Sequence, residues 1–160
     1  MRLEPFGKLK MRYGRSSFHR PYGSVEGAGF GDGDGEINGE IEGQVIWANY
    51  PRRREDGVWT PNVRGRIAAR DGDEVLVSIH GQSVLEKAPG TRRAILARVE
   101  LTTQAERFRW VNTMFFVAEG EIDEDTDHIS LNLYVCINED VSGPPALGQE
   151  PPERFRHTSN

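Results

Sequence analysis

VRGRIAARDGDEVLVSIHGQ, residues 63–82, is the stretch whose reading decides the fold. Apolar residues recur at alternate positions on both sides of Asp71-Gly72, and a period of two belongs to a half-buried strand. Asp-Gly suits a two-residue hairpin turn, which needs positive φ where glycine carries no Cβ. The stretch therefore reads as an antiparallel hairpin. Toward the N-terminus, residues 3–13 read as a first strand, residues 36–43 alternate, and QVIWANY (44–50) continues as a strand. Residues 16–35 are poor in aliphatics and crowded with glycine, which predicts a loop or an irregular edge. PRRREDGVWTP (51–61) is a turn region around Asp56-Gly57.

Toward the C-terminus, Pro89-Gly90 marks another turn. Residues 91–107 divide between a helical turn or two in TRRAILAR and an alternating strand over 98–103. FRWVNTMFFVA (108–118) and HISLNLYVCIN (128–138) carry the strongest strand signals, with an acidic turn between them at 120–127. Residues 141–160 are Pro-rich, polar and aperiodic, which predicts a flexible tail. About seven to nine short strands joined by tight turns make a sandwich or a barrel. Several strands carry polar residues between apolar ones. In a closed barrel such a face becomes a lumen, and its polar groups become a site. The expectation is an all-β chain: a single antiparallel β-barrel over residues 1–140, at most one or two short helical turns, and a tail over 141–160.

Composition narrows the function. The chain has 160 residues, 36% of them hydrophobic, and nothing approaches the ~20 apolar residues of a membrane helix. A net charge of −5 argues against a nucleic-acid partner, which calls for a basic excess. One cysteine, Cys136, excludes an internal disulfide or a multi-cysteine metal site, and within a strand it reads as a small hydrophobe. The first residues lack an apolar signal core, so the expected location is cytoplasmic.

No chemical motif settles an activity. In GAGFGDGDG (27–35) the glycine spacing does not meet G-x-G-x-x-G, and no helix follows to hold a phosphate. Asp32, Asp34 and Glu36 have the spacing of a calcium loop, but Ile37 stands where that loop needs glycine and Gly43 where it needs glutamate. Asp123, Asp125 and Asp127 fail in the same way. The four histidines are far apart and form no short-spaced pair, so no metal site is expected. There is no Gly-x-Ser-x-Gly elbow. Arg52-Arg53-Arg54 is either a solvated loop or a clamp for an anionic ligand at the barrel mouth.

A polar and aromatic set inside the strands is more suggestive: Trp47, Asn49, Arg64, His80, Trp110, Asn112 and Tyr134. Burying such groups without partners costs several kcal/mol, so each must face water or find partners in the lumen. In a lumen the rings stack on a planar molecule while Asn, Arg and His orient it.

At these residues the chain resembles the bacterial domain-of-unknown-function family 3237, whose members form calycin-like, lipocalin-like β-barrels. The resemblance lies in GEIEG (39–43), the Asp56-Gly57 turn, Arg64 leading into Asp71-Gly72, and Phe108-Arg109-Trp110-Val111-Asn112, which is similar to the family's aromatic-x-Trp-Leu-Asn signature. It runs over residues 3–138. Asn62, Thr102 and Gln104 depart from the pattern, as does QVIWANYPRRR (44–54). The resemblance implies a barrel and supplies no activity.

The function expected first is a cofactor-independent lyase, isomerase or cyclase acting on a partly apolar carbonyl- or carboxylate-bearing metabolite in the lumen. Arg64 and Asn112 would hold an oxyanion or carboxylate, and His80 or Tyr134 would carry the proton. Trp47, Asn49, Arg53, Trp110 and Met114 would line the ligand site. The alternatives are a non-catalytic carrier of a hydrophobic molecule and a solid barrel that contacts other proteins. A homodimer is also open, because an irregular edge at 16–35 would need covering.

Overall fold

Alternation builds a barrel because every second side chain can turn inward to one core. In the computed structural model, which describes residues 1–86, 91–139 and 150–156, ten strands follow one another. They are β1 (Arg2–His19), β2 (Gly27–Gly39), β3 (Gly43–Asn49), β4 (Arg52–Arg53), β5 (Trp59–Thr60), β6 (Asn62–Ala69), β7 (Glu74–Leu85), β8 (Arg92–Thr102), β9 (Phe115–Asp123) and β10 (His128–Ile137). Eight of them close a ring in the order β1-β2-β3-β6-β7-β8-β9-β10, with β10 returning to β1 and every pair antiparallel. The short β4 and β5 bridge β2 to β7 at one end, where those strands outrun β3 and β6. Among the described residues no helix is long and apolar enough to cross a membrane.

The hairpin over 63–82 forms as its pattern requires. Val63 pairs with Ile79 and Ile67 with Val75, all four are buried, and Gly72 takes φ +92° in the turn. The Pro89-Gly90 turn and His157 lie outside the described residues.

Four expectations are corrected. Residues 16–35 are mostly strand rather than loop: β1 runs to His19 and β2 begins at Gly27, paired over Gly7 to His19, with only residues 20–26 left as the connecting turn. No irregular edge is left there to be covered, because β2 is paired on both sides. Aliphatics are missing at Gly29 and Gly31 because those inward positions face aromatic rings, and at Gly33 and Gly35 because a Cβ would meet the β1 backbone. A Cβ at Gly29 would collide with the Phe18 ring, and one at Gly31 with the Tyr13 ring. Asp32, Asp34 and Glu36 alternate with those glycines and point outward, which accounts for their spacing.

TRRAILAR is strand rather than helix, with Arg93, Ile95, Ala97, Val99 and Leu101 all inward and buried. Conversely, Glu106–Thr113 is a 3-10 helix rather than strand. Phe108 and Val111, three apart, share its buried side with Trp110, as eclipsed i and i+3 positions do. Finally, part of the expected tail joins the core. Phe155 is buried, stacks on Trp110 at 5.3 Å between ring centroids, and reaches Phe6 at 6.5 Å.

These rings give the barrel a closed end. Phe6 meets Phe116 edge-on at 4.9 Å and Trp110 at 6.0 Å. The 3-10 helix lies between the end of β8 and the start of β9 and plugs the opening. Its ends are clamped by Asn112, whose Oδ1 accepts from Thr103 N–H at 2.8 Å and whose Nδ2 donates to Thr103 C=O at 2.9 Å. Above this plug, buried side chains from all the long strands, mostly Val, Ile and Leu, fill the lumen.

Candidate functional site at the barrel mouth

The filling stops near the opposite end, and a cavity of about 410 Å³ opens there. Its wall follows the inward set of each strand to its mouth end: Tyr13 and Phe18 from β1, Asn49 from β3, Ser83 from β7, Arg93 from β8 and Ile122 from β9. Arg53 and Trp59 from the β4–β5 flap complete it, with Glu124 and Asp127 from the turn after β9. This volume suits a small organic molecule.

One side of the cavity is aromatic. Trp47 meets Tyr13 edge-on at 4.7 Å, Tyr13 meets Phe18 at 5.9 Å, and Phe18 meets Trp59 at 5.4 Å, so the rings climb from the core to the rim. Room for this ladder comes from glycine. The cross-strand neighbours of Trp47 are Gly33 and Gly65, and Gly31 faces Tyr13. The Trp47 indole N–H donates to Asp34 C=O at 3.0 Å, leaving no unmatched donor beneath the cavity.

Two polar groups are fixed in this apolar setting. Asn49, 3% exposed, accepts the Asn62 N–H on Oδ1 at 2.9 Å and donates from Nδ2 to the Tyr13 hydroxyl oxygen at 2.7 Å. The backbone contact settles which end of the amide faces Tyr13. The phenol oxygen is thus an acceptor toward Asn49, and its own proton is left for the cavity. Burial pushes the Tyr13 pKa above its ordinary value; the Asn49 bond works against this, and the charge of Asp127 adds to it. Asp127 is tied to the same place, because its C=O accepts the Tyr13 N–H at 3.1 Å. It holds φ 58°, a left-handed conformation that aspartate tolerates better than most residues.

The second is Arg93, 4% exposed. Its Nε donates to Ser83 Oγ at 2.9 Å, and Nη2 donates to the carbonyls of Gly57 at 2.5 Å and Ser83 at 3.0 Å. Nη1 faces Glu124 at 3.6 Å. Burial lowers the Arg93 pKa below the ordinary arginine value; Glu124 opposes this and Arg53 adds to it. Arg53 lies 5.6 Å over the Trp59 ring at the rim.

Of the residues expected to form a site, Asn49 and Arg53 line this cavity and Trp47 supports it from below. The expectation that Arg64, His80, Asn112 and Tyr134 converge in the lumen does not hold, because they fall on other faces. Arg64 and His80 alternate with the buried Val63, Val77 and Ile79, so they stand on the outer wall, where Arg64 Nη1 contacts His80 Nε2. Tyr134 is outside as well, donating to Glu119 at 2.9 Å. Asn112, Trp110 and the half-buried Met114 belong to the plug at the closed end. Cys136 alternates with buried Val135 and Ile137, and burial raises its pKa.

Tyr13, Ser83, Arg93 and Asp127 were missed. Three of them had a signal. Tyr13 is in step with Leu9 and Met11, Arg93 with Ile95 and Ala97, and Ser83 with Val77 and Ile79, so an unbroken period of two carries each inward. Nothing in the sequence marks Asp127. Among the described residues no three His, Cys, Asp or Glu side chains gather as a metal site would require.

No protein-family model matches the chain, and no curated protein matches it. Solved structures do. A conserved protein of unknown function from Rhodopseudomonas palustris is 18% identical, with a TM-score of 0.70 over 84% of this chain and 98% of that one. A beta-barrel like protein from Acinetobacter baumannii is 12% identical, with a TM-score of 0.73 over 84% and 94%. An enzyme from Penicillium herquei is 19% identical, with a TM-score of 0.61 over 84% and 92%. At these identities the likeness shows a shared barrel and nothing about residues.

Proposed function

We propose that the protein is a cofactor-independent enzyme that moves a proton on a small, partly apolar, carbonyl- or carboxylate-bearing molecule held at the barrel mouth, in an isomerase-, lyase- or cyclase-type step. The observation that carries this reading is the half-buried Tyr13, whose hydroxyl is set in an aromatic cavity with Asn49 donating to its oxygen. Tyr13 O–H hydrogen-bonds a substrate carbonyl as negative charge develops there. The Asn49 N–H then stabilises the phenol oxygen should it give up its proton. The Asp127 carboxylate, on the same wall, receives the proton leaving carbon. Trp59 and Phe18 hold the planar part of the molecule. The enzyme from Penicillium herquei lends support at the level of the fold alone, since a shared barrel does not fix an activity.

The test is proton exchange in D2O on 2-tetralone, a planar enolisable ketone, followed by NMR. The expected result is exchange faster than in buffer, lost in Tyr13→Phe. A probe that binds the wild type yet exchanges no faster than in buffer refutes the enzyme and leaves the carrier.

A further inference from the structure

Arg93 is a charge with an incomplete set of partners. Three hydrogen bonds hold its plane rigid, and all three acceptors are neutral: one hydroxyl and two carbonyls. A buried guanidinium whose opposing carboxylate stands outside hydrogen-bond length is under-compensated, since desolvation removes more than neutral acceptors restore. The carboxylate near it, Glu124, sits 3.6 Å from Nη1, beyond hydrogen-bond length, and its side chain is 44% exposed. Nη1 makes no hydrogen bond to any described residue. It belongs to the same guanidinium whose Nη2 reaches the Asp56-Gly57 turn, so it is fixed at the cavity wall. Arg53 lines the cavity too and adds positive charge on this side.

Charge is distributed unevenly across the cavity. Arg93 and Arg53 stand toward Trp59, while Asp127 stands beside Tyr13. A ligand with an anion at one end and a neutral group at the other fits that arrangement, and a dianion does not.

We infer that the substrate carries a single carboxylate, which docks on Nη1 of Arg93 and displaces the loosely held Glu124 side chain, leaving the neutral end of the molecule at Tyr13. The inference rests on the mouth cavity being the binding site. Glu124 is then the resident stand-in for the substrate carboxylate. A charge-assisted N–H···O bond of about 2.8 Å replaces a contact too long to be one.

The experiment compares 2-naphthoate with 2-naphthamide, which has the same shape without the charge, by tryptophan fluorescence at neutral pH. Wild type is expected to bind the carboxylate at least tenfold more tightly. Arg93→Gln should remove that preference and keep naphthamide binding. Glu124→Gln, which leaves the guanidinium and its three bonds intact, should widen the preference severalfold and keeps the inference testable if Arg93→Gln does not fold. Equal binding of the two probes by wild type overturns the inference and leaves the cavity reading standing. So does a Glu124→Gln preference that is unchanged or narrower. Failure of both probes to bind wild type overturns the cavity reading and the inference with it.

Discussion

Arg64 can only donate, so its contact with Nε2 of His80 makes that nitrogen an acceptor and puts the neutral ring's proton on Nδ1. Partial burial lowers the His80 pKa first, with Arg64 and Arg98 adding to it and Glu100 opposing. The folded state thus binds this proton less tightly than the unfolded chain. The neutral ring's contribution is present above the ordinary histidine value of about 6.5 and is lost as pH falls through that value toward the folded pKa. Because the ring is only half-buried, solvent screens it and the effect on stability is small. Titrating the His80 Cε1 proton by NMR should give a midpoint below 6.5, and a midpoint above it contradicts the contact. The same pair marks where the site was illegible. Arg64 and His80 are the right chemistry in the right strands, one residue out of step with the lumen. Trp47 and Asn49 were legible because both stand on the inward set of a single unbroken strand. Phe18 was not legible, because a bulge between Tyr13 and Arg15 shifts its register and local periodicity does not reveal a bulge.

Elements differ in how openly they are written. The 63–82 hairpin could be read because alternation and turn chemistry agree there. The 3-10 helix was hidden, since Phe108, Trp110 and Asn112 alternate like a strand and only the buried Val111 betrays the other period. β2 was hidden for the opposite reason: most of its inward positions are glycines that leave room for the rings and backbone of β1, so it lacks the hydrophobic signal of a strand. Phe155 was hidden because a single anchoring ring in a Pro-rich segment has no period at all. Its burial against Trp110 and Phe6 makes a strong prediction. Phe155→Ala should cost about 3–5 kcal/mol in a denaturant titration, as other large-to-small changes in cores do. A cost within ~0.5 kcal/mol, typical of surface changes, would mean that residues 150–156 are not part of the packed unit.

At the scale of the whole molecule the barrel is divided along its axis. One end is plugged by the 3-10 helix and filled by Phe6, Phe116, Trp110 and Phe155. The other opens at Tyr13, Asn49, Arg93 and Trp59. The barrel was legible from composition and period. The axial division was not, because it depends on which strands outrun their neighbours and on what fills each level. The chain's three tryptophans sample this division: Trp59 at the mouth, Trp47 against Tyr13 below it, and Trp110 at the plug. Titrating 2-naphthoate while following the three indole N–H signals in a 15N correlation spectrum tests the location of the site most directly. The mouth site predicts a saturable shift that is largest at Trp59, smaller at Trp47 and absent at Trp110. A saturable shift at Trp110 with Trp59 unmoved contradicts it.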